Sequence, residues 1–513
     1  MNAIDNNTPI IIGVGEYSER IDDEGYQALS PVQLASMAAI DACNNVSQAV
    51  DIKNHIDAIA CVRTFEDTSP KLAGPFGKAN CFPRAIAKQL GINPAIAVLD
   101  VAGGQSPQHL VNEFCERIAK GEVNMALLTG GEAISTTRFL ASQQKQADWT
   151  ITTDNNADDR GPGSEGISSH YMQKHMLFGA PQCYALFENA RRASLQQSKQ
   201  DYAKHMAELF APFSNIAANN PHSMSKQAYT AEELIDVSEN NRFIADPYPR
   251  RLVARDQVNQ AASVLITNVG KAKELGIDSS AWIFLTGYAD AVELSVMERE
   301  DLARSPAAAM AIKSALEHAK LDLKDINHFD LYSCFPIAVS NICDQLALKY
   351  DDPRGLSSAG GLPFFGGAGN NYSMHAIVSL IKTLRKHPEH SGLIGANGGF
   401  LSKYSVGIYS SQARTFKSVN KNGLQEKIDA LPRVKVTESP EGSASIETYT
   451  VLYHKGVASL AIIIGRLDAN NQRFLAMSNK GDAETLKQMI DSDPIAKRIK
   501  VNTTEKGNFF SFL

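Results

Sequence analysis

VAGGQSPQHLVNEFCERIAKGEVNMALLTGGEA, residues 101–133, is the stretch that decides the fold of this chain. The Gly103-Gly104 turn leads into a segment whose apolar residues recur at three- and four-residue spacing. This spacing predicts an amphipathic helix, with Ser106 as its cap. The apolar run from Met125 to Leu128 then predicts a strand that is buried on both faces in a parallel sheet. Turn, helix and strand in this order indicate part of a βαβ unit, in which the helix N-terminus faces a ligand crevice.

The same order recurs later in the chain. Between Gly360 and Phe400 a glycine turn, a helix predicted over Met374 to Leu384, a short apolar run and the pair Gly398-Gly399 follow one another. Self-similarity of this kind is typical of a duplicated architecture. The pattern therefore predicts an α/β fold with two similar βαβαβ-type halves, the first over residues 1–270 and the second over residues 271–418.

Two further regions depart from the repeated pattern. Residues from about 135 to 250 alternate polar stretches with helical pieces, and an insertion of this length usually covers a site. Beyond about Asn420 the chain has short alternating runs that predict a separate, small β-rich and barrel-like domain over residues 419–513. The last of these runs, Arg498 to Asn502, is followed by what the pattern indicates is a C-terminal tail.

Composition narrows the class of protein. The 513 residues carry a net charge of −6 without long like-charge blocks, so neither nucleic acid nor an anionic membrane surface is an expected partner. No apolar run approaches the roughly 20 residues of a membrane span, and the first residues lack the features of a signal peptide, so we expect a cytoplasmic protein. The seven cysteines are scattered and form no CxxC pair, which argues against disulfides and against a metal site.

Several sequence blocks, taken in order, resemble the thiolase superfamily. They are AGGQSPQHLV, AKGEVNMALLTGGEA, DINHFDLYSCFPIAV and the glycine loops around Gly366 and Gly398. The resemblance covers Pro9 to Ala413 and lies closest to the sterol-carrier-protein-type thiolases, in particular to the type-1 thiolase-like proteins with an additional C-terminal domain. It implies a layered α-β-α-β-α fold, CoA or acyl-CoA as the ligand, and an acyltransferase of the acetyl-CoA acetyltransferase type by ancestry.

The catalytic positions that this resemblance implies are empty. The nucleophilic cysteine at the N-terminus of the central helix falls on Gly104, the histidine of the Gly-His-Pro motif on Gly367, and the acid/base cysteine on Ala396. A thiolytic or Claisen cycle needs all three groups, and the loss of one member of such a set typically costs several orders of magnitude in rate. Ordinary thiolase turnover is therefore not expected.

Two functions from different classes stay open. In the first, acyl transfer uses a relocated set: Cys334 as nucleophile, His375 as base and Tyr332 as a donor to the oxyanion. In the second, the protein is a noncatalytic CoA-thioester or lipid binder, and its C-terminal domain recruits a protein partner. Tyr332 and Cys334 then only line a pocket, and His375 is a buried structural histidine. The first function requires Cys334 and His375 to lie within hydrogen-bonding reach.

The run from Asp246 to Asp256, DPYPRRLVARD, is the candidate phosphate-binding segment. Its arginines, Arg250, Arg251 and Arg255, either contact CoA phosphates, or are solvated, or pair with the aspartates at its two ends. Asn397 is a candidate to bond a carbonyl of the ligand or to shape its turn. No covalently bound cofactor is expected, and the sequence leaves both a monomer and a homodimer open.

Overall fold

The computed structural model describes residues 4–46, 51–154, 156–163, 167–419 and 421–513. The boundary predicted near Asn420 falls on a residue outside this set. The strands are β1 (Pro9–Ser18), β2 (Ala58–Cys61), β3 (Ile96–Leu99), β4 (Met125–Ala133), β5 (Asp158–Asp159), β6 (Phe243–Ala245), β7 (Tyr248–Pro249), β8 (Asn259–Asn268), β9 (Phe284–Val292), β10 (His328–Leu331), β11 (Ser391–Gly398), β12 (Lys403–Ser410), β13 (Gly442–His454), β14 (Val457–Leu467), β15 (Arg473–Met477), β16 (Arg498–Thr504) and β17 (Gly507–Phe512).

The α-helices connect these strands or lie in the insertion. They are α1 (Pro31–Asn44), α2 (Phe65–Thr68), α3 (Phe82–Leu90), α4 (Ser106–Ala119), α5 (Ile134–Ser142), α6 (His170–Lys174), α7 (Ala180–Ser194), α8 (Lys199–Asn219), α9 (Ala231–Ile235), α10 (Val269–Glu274), α11 (Pro306–Ala319), α12 (Pro336–Leu346), α13 (Tyr372–Lys386), α14 (Lys421–Asp429) and α15 (Ala483–Asp491).

Two sheets form the body of the molecule. The first has the order β1-β8-β4-β2-β3-β5, in which β2 runs parallel to β3 and β4 while β8 is antiparallel to β1 and β4. The second has the order β10-β11-β12-β9, with β10 and β11 parallel. Helices α4 and α13 pack against each other and contact both sheets, whereas α1 and α3 cover the outer face of the first sheet and α11 that of the second. The predicted α-β-α-β-α layering and the two similar halves are confirmed.

The central helix α4 forms because its apolar stripe has partners on both sides. Leu110, Val111, Phe114 and Ile118 are completely buried between the two sheets. The helix begins at Ser106 with Gln105 as its N-cap, so the prediction that Ser106 is the cap is wrong by one position. The Ser106 hydroxyl donates instead to a carboxylate, that of Asp100, at 2.6 Å.

The C-terminal domain is a closed five-stranded barrel. Its strands follow the order β13-β14-β15-β17-β16, and β16 pairs with β13 to close the barrel. Strands β15 and β17 run parallel, and helix α15 lies between β15 and β16 in the sequence. This arrangement is that of an OB-fold barrel. The predicted C-terminal tail is wrong: the chain reverses at Glu505-Lys506 and returns as β17, whose Phe510 is buried in the barrel core. Without this strand the barrel would have an open edge.

The barrel packs directly on the insertion between the first-sheet strands β4 and β8. Strands β6 and β7 of the insertion extend the barrel sheet beyond β13, through the pair Ala245 and Leu452. Asn189 of α7 donates to the carbonyl of Tyr449 at 3.0 Å, and Arg192 forms a bidentate ion pair with Asp493 at 2.8 Å. The insertion is therefore held between the thiolase-like body and the barrel. No helix among the described residues is long and apolar enough to cross a membrane.

Candidate functional site

A cavity of about 410 Å³ lies at the N-terminal end of α4. Its walls come from the turn before α4, from the segments that follow β10 and β11, and from the start of α7 in the insertion. The principal lining residues are Gly104, Tyr332, Cys334, Phe335, Gly367, Asn397, Gly398, Pro181 and Tyr184. Because β10 and β11 are parallel, their carboxyl ends meet here, which is where open α/β sheets bind ligands.

Tyr332 occupies the space that a side chain at position 104 would need. A Cβ atom built on Gly104 would lie 2.3 Å from the Cζ and hydroxyl oxygen of Tyr332. Real Cβ atoms essentially never approach other atoms this closely, so a side chain at this position would require the phenol ring to move. The absence of a side chain at Gly104 and the presence of a tyrosine at position 332 are thus linked, because the Tyr332 ring fills the space that such a side chain would occupy.

The Tyr332 hydroxyl is available to a ligand. Tyr332 lines the cavity and its ring meets that of Tyr372 edge to face at 5.7 Å, but its hydroxyl has no hydrogen-bond partner among the described residues. Burial raises the pKa of Tyr332 well above its usual value. The phenol therefore stays protonated and presents a neutral hydrogen-bond donor to the cavity.

Cys334 and Asn397 form the opposite polar wall together with Tyr184. The Asn397 side-chain nitrogen donates to the Tyr184 hydroxyl at 2.7 Å and lies 3.9 Å from Cys334 Sγ. The amide oxygen of Asn397 is buried and has no hydrogen-bond partner in the described part of the chain. Burial raises the pKa of the Cys334 thiol to about 12, so the thiolate form is rare at neutral pH.

Cys334 is expected to react slowly with a thiol reagent in the native protein. With a pKa of about 12 its thiolate fraction at pH 8 is roughly 10³-fold smaller than that of an ordinary cysteine. Alkylation by iodoacetamide, followed by peptide mass spectrometry, measures its rate against that of the same cysteine in urea. Native labelling at the rate of the unfolded chain would mean that Cys334 is an activated nucleophile after all.

His375 does not belong to this cavity. It is absent from the lining, and its Nδ1 donates to Glu16 Oε1 at 2.7 Å in the packed interior beside the Phe365 ring. Lys382 binds the other oxygen of Glu16 at 2.8 Å. The structure therefore brings Tyr332 and Cys334 together but leaves His375 in a different, structural cluster.

The cluster of Glu16, His375 and Lys382 makes a measurable contribution to the stability of the folded protein. Burial raises the pKa of Glu16, but the hydrogen bond from His375 and the charges of His375 and Lys382 outweigh it and lower the pKa to about 2. Because the folded pKa lies below the unfolded value of about 4.5, the stabilisation is complete above the unfolded value and is lost as the pH falls towards 2.

Comparison with Glu16→Gln isolates this contribution, since glutamine does not titrate. The difference in unfolding free energy between wild type and Glu16→Gln should narrow by about 2 kcal/mol between pH 6 and pH 3. Urea titrations at each pH give the two free energies. A difference that is independent of pH over this range would show that Glu16 is not held as a carboxylate by its neighbours.

A second cavity of about 470 Å³ adjoins the first. The two share the lining residues Val253, Ala254 and Asp256, so they lie side by side, and we refer to the pair as the crevice. The second cavity is bordered by the three predicted arginines and by one that the sequence analysis missed: Arg250, Arg251, Arg255 and Arg242.

None of the three predicted arginines forms an ion pair with a carboxylate within the part of the chain that the structure describes. The aspartates at the ends of their segment have other partners, because Asp246 pairs with Lys199 at 3.4 Å and Asp256 with Arg138 at 3.1 Å. Among the described residues the arginines therefore do not pair with these two aspartates, and the alternative that they are solvated stays open. Desolvation, together with the charge of Arg250, lowers the pKa of Arg255. This end of the crevice is cationic, because four arginines border it beside one aspartate, Asp256.

Arg251 differs from its two neighbours because the fold anchors it. Its guanidinium donates to the carbonyl of Glu233 at 2.6 Å and lies 4.8 Å from the centre of the Tyr229 ring. Arg250 and Arg255 are both exposed. These two side chains are consequently the ones free to turn towards a bound anion.

The sequence analysis also missed Tyr184, which lines the cavity. Ala396, at the position of the thiolase acid/base cysteine, is not among the lining residues. Ala396 is buried within β11, whereas Gly367 does line the cavity. Tyr184 and Arg242 both lie in the insertion, and no local pattern distinguishes them from other polar residues there. Only the packing of α7 and β6 against the body identifies them.

Comparisons with known proteins agree with this architecture. Residues 423–506 match the family model described as the thiolase-like protein type 1 additional C-terminal domain. The monomeric SCP2-thiolase-like protein type 1 from Mycobacterium smegmatis is 42% identical over 100% of both chains, with a TM-score of 0.85. Among curated proteins, no sequence matches this chain.

More distant structures share the fold of the body. The dimeric peroxisomal thiolase of Saccharomyces cerevisiae is 14% identical, over 80% of this chain and 99% of its own, with a TM-score of 0.58. Human mitochondrial 3-ketoacyl-CoA thiolase is 15% identical, over 79% of this chain and 99% of its own, with a TM-score of 0.51.

The full-length similarity to the mycobacterial protein and the match of the C-terminal domain decide the family. The chain belongs to the type 1 SCP2-thiolase-like proteins, which join a thiolase-like body to an additional C-terminal domain.

Proposed function

We propose that this protein binds CoA or an acyl-CoA in the crevice formed by the two cavities and does not catalyse thiolase turnover. The observation that carries the proposal is the asymmetry of the crevice. One end has arginines that form no ion pair with any carboxylate among the described residues, and the other has a tyrosine hydroxyl where a thiolase has its nucleophile.

The cationic end suits the phosphates of CoA. Arginine binds phosphate through two parallel, charge-assisted hydrogen bonds, and CoA carries a diphosphate and a further phosphate at one end. Arg250 and Arg255 lie on either side of the segment that joins the cavities, and Arg242 borders the same space. The shared residues Val253 and Ala254 offer an apolar passage for the pantetheine arm.

The inner end suits a thioester carbonyl. The Tyr332 hydroxyl and the Asn397 amide line the cavity at the N-terminal end of α4, where backbone N–H groups carry partial positive charge. A carbonyl oxygen in this position would accept a hydrogen bond from the phenol. These groups orient a ligand without supplying a nucleophile.

Turnover by the thiolase route is unsupported because, among the described residues, neither the nucleophile nor the histidine base of that route is in place. The phenol ring of Tyr332 fills the nucleophile position, the Cys334 thiol is protonated at neutral pH, and His375 is engaged with Glu16. The relocated acyl-transfer set of Cys334, His375 and Tyr332 thereby loses its base. We therefore favour binding over acyl transfer.

The C-terminal barrel has a structural role in this proposal. It holds α7, which contributes Tyr184 to the cavity wall, through Asn189 and the ion pair of Arg192 with Asp493. We further propose a monomer, as in the mycobacterial relative, because β5 of the insertion pairs with β3 and covers the end of the first sheet. Recruitment of a protein partner by the barrel stays a hypothesis.

Calorimetric titration with CoA and with acetyl-, hexanoyl- and palmitoyl-CoA tests the proposal. We expect a single site with a dissociation constant in the micromolar range, about −8 kcal/mol. Mass spectrometry after incubation with each acyl-CoA should find the protein unmodified. An acyl adduct on Cys334 would overturn the noncatalytic part of the proposal, and the absence of binding to every compound would overturn the binding part.

A further inference from the structure

Three histidines and a glutamate converge on the surface at the end of α13 that is remote from the cavity. His387, Glu389 and His390 follow the helix in the sequence HPEH, and His328 begins the adjacent strand β10. Asn370 and Asn371 at the opposite end of this 15-residue helix adjoin the cavity, which lies about 20 Å away by the helical rise. The cluster is therefore separate from the proposed CoA site.

The ligand atoms of the cluster already lie close together. One nitrogen or oxygen atom from each of His387, Glu389 and His390 lies within 4.8 Å of the other two. His390 Nε2 is 3.3 Å from Glu389 Oε1. Two ligand atoms bound at about 2.0–2.1 Å to one tetrahedral ion are themselves about 3.3 Å apart, so this pair has the spacing of ligands to a common metal.

His328 fixes the orientation of His390. His328 Nε2 and His390 Nδ1 are joined by a hydrogen bond of 2.9 Å, so the Nε2 atom of His390 is directed at Glu389. When Nδ1 of His390 is the donor, its Nε2 carries the lone pair that a metal ion requires. A metal-bound histidine usually donates its other ring N–H to an outer partner in this way.

Backbone hydrogen bonds hold the segment from His387 to Ser391 in place. The N–H of His390 donates to the carbonyl of His387 at 3.0 Å, and Asn327 and Ser391 exchange hydrogen bonds of 2.8 and 2.9 Å across the two parallel strands. The rings of His387 and His390 are stacked with centroids 5.0 Å apart.

We propose that His387, Glu389 and His390 bind one divalent transition-metal ion of the zinc class, with His328 as the outer hydrogen-bond partner that orients His390. Two imidazoles and one carboxylate suit Zn²⁺, Ni²⁺ and Co²⁺ better than Mg²⁺ or Ca²⁺, which prefer oxygen ligands. Water completes the coordination. The exposed side chains of His387 and Glu389 close on the ion by rotation, and the ion ties the end of α13 to β10 through His328.

Calorimetric titration of the full-length, chelator-treated protein with Zn²⁺ tests this proposal. We expect one ion per chain, a loss of affinity of about 100-fold or more in His390→Ala and in His387→Ala, and a loss of roughly 10-fold in His328→Phe. The exposed His454 of the barrel provides the control, because His454→Ala should bind zinc as the wild type does. Titration with Co²⁺ and its visible absorption spectrum reports directly on nitrogen and oxygen ligation.

Each result decides for or against the site. Zinc affinity that is unchanged in both His390→Ala and His387→Ala would overturn the proposal, as would binding of Mg²⁺ in preference to Zn²⁺. Unchanged CoA titrations of the same variants would confirm that they are folded. Because these residues lie far from the crevice, failure of CoA binding in the wild type would not affect the outcome.

Discussion

Replacing Arg250 and Arg255 together by alanine is expected to weaken CoA binding by about 100-fold or more. Both side chains are exposed, border the second cavity and have no carboxylate partner among the described residues. A hydrogen bond to a charged phosphate contributes roughly 1.5–3 kcal/mol, so the loss of two arginines removes about 3 kcal/mol or more. Since a factor of ten corresponds to about 1.4 kcal/mol, this loss exceeds 100-fold.

Titration with CoA and with acetyl-pantetheine, which lacks the phosphates, separates the two ends of the crevice. Acetyl-pantetheine should bind the double variant and the wild type equally. Arg304→Ala is a matched control, because Arg304 is an exposed arginine paired with Asp301 at 3.4 Å, outside the crevice. Equal CoA affinity of wild type and double variant would remove the phosphate site. Equal losses for both ligands would mean that the substitutions disturb the whole cavity.

A side chain at position 104 is expected to destabilise the protein unless Tyr332 is shortened at the same time. Gly104→Ala should cost about 3 kcal/mol in the wild-type background, because the new Cβ atom would lie 2.3 Å from the buried Tyr332 ring. The backbone of Gly104 has no positive φ, so the cost comes from this contact and not from strain. In the Tyr332→Ala background the same substitution should cost less than about 1 kcal/mol.

Urea unfolding of the four proteins of this double-mutant cycle measures the coupling, for which we expect about 2 kcal/mol or more. Gly367→Ala is the control. Gly367 lines the same cavity, but its Cβ atom would meet its nearest neighbours at 3.3 and 3.4 Å, so the change should stay within about 1 kcal/mol. Additive effects of Gly104→Ala and Tyr332→Ala would contradict the assignment of Tyr332 as the group that fills the nucleophile position.

Much of the fold was predictable because its signals are local. The apolar spacing of α4, the buried run of β4 and the repetition of both in α13 and β11 depend only on neighbours in the sequence. The final strand β17 was mistaken for a tail because a strand of only six residues next to the chain end has a weak pattern. Its pairing with β15 and β16 depends on barrel closure, which no local pattern encodes.

The candidate site was predictable to a smaller extent. The three empty catalytic positions are visible because thiolase motifs are short and contiguous, and the arginines of the candidate phosphate-binding segment lie within six residues of one another. The metal cluster was not predicted. Its HPEH segment alone is a weak signal, and His328 joins it only because β10 and β11 are parallel neighbours.

The sequence by itself therefore determined the duplicated α/β body, the barrel-like C-terminal region and the absence of the thiolase nucleophile, histidine and acid/base cysteine, since each is encoded over a few consecutive residues. Only the tertiary structure decided that Tyr332 fills the space above Gly104 and that His375 binds Glu16 instead of Cys334. It also decided that the arginines form no ion pair with a carboxylate in the part of the chain that the structure describes. These facts depend on contacts between residues far apart in the chain. Such contacts are fixed by the packing of the two sheets around α4 and α13, and spacing along the sequence does not reveal them.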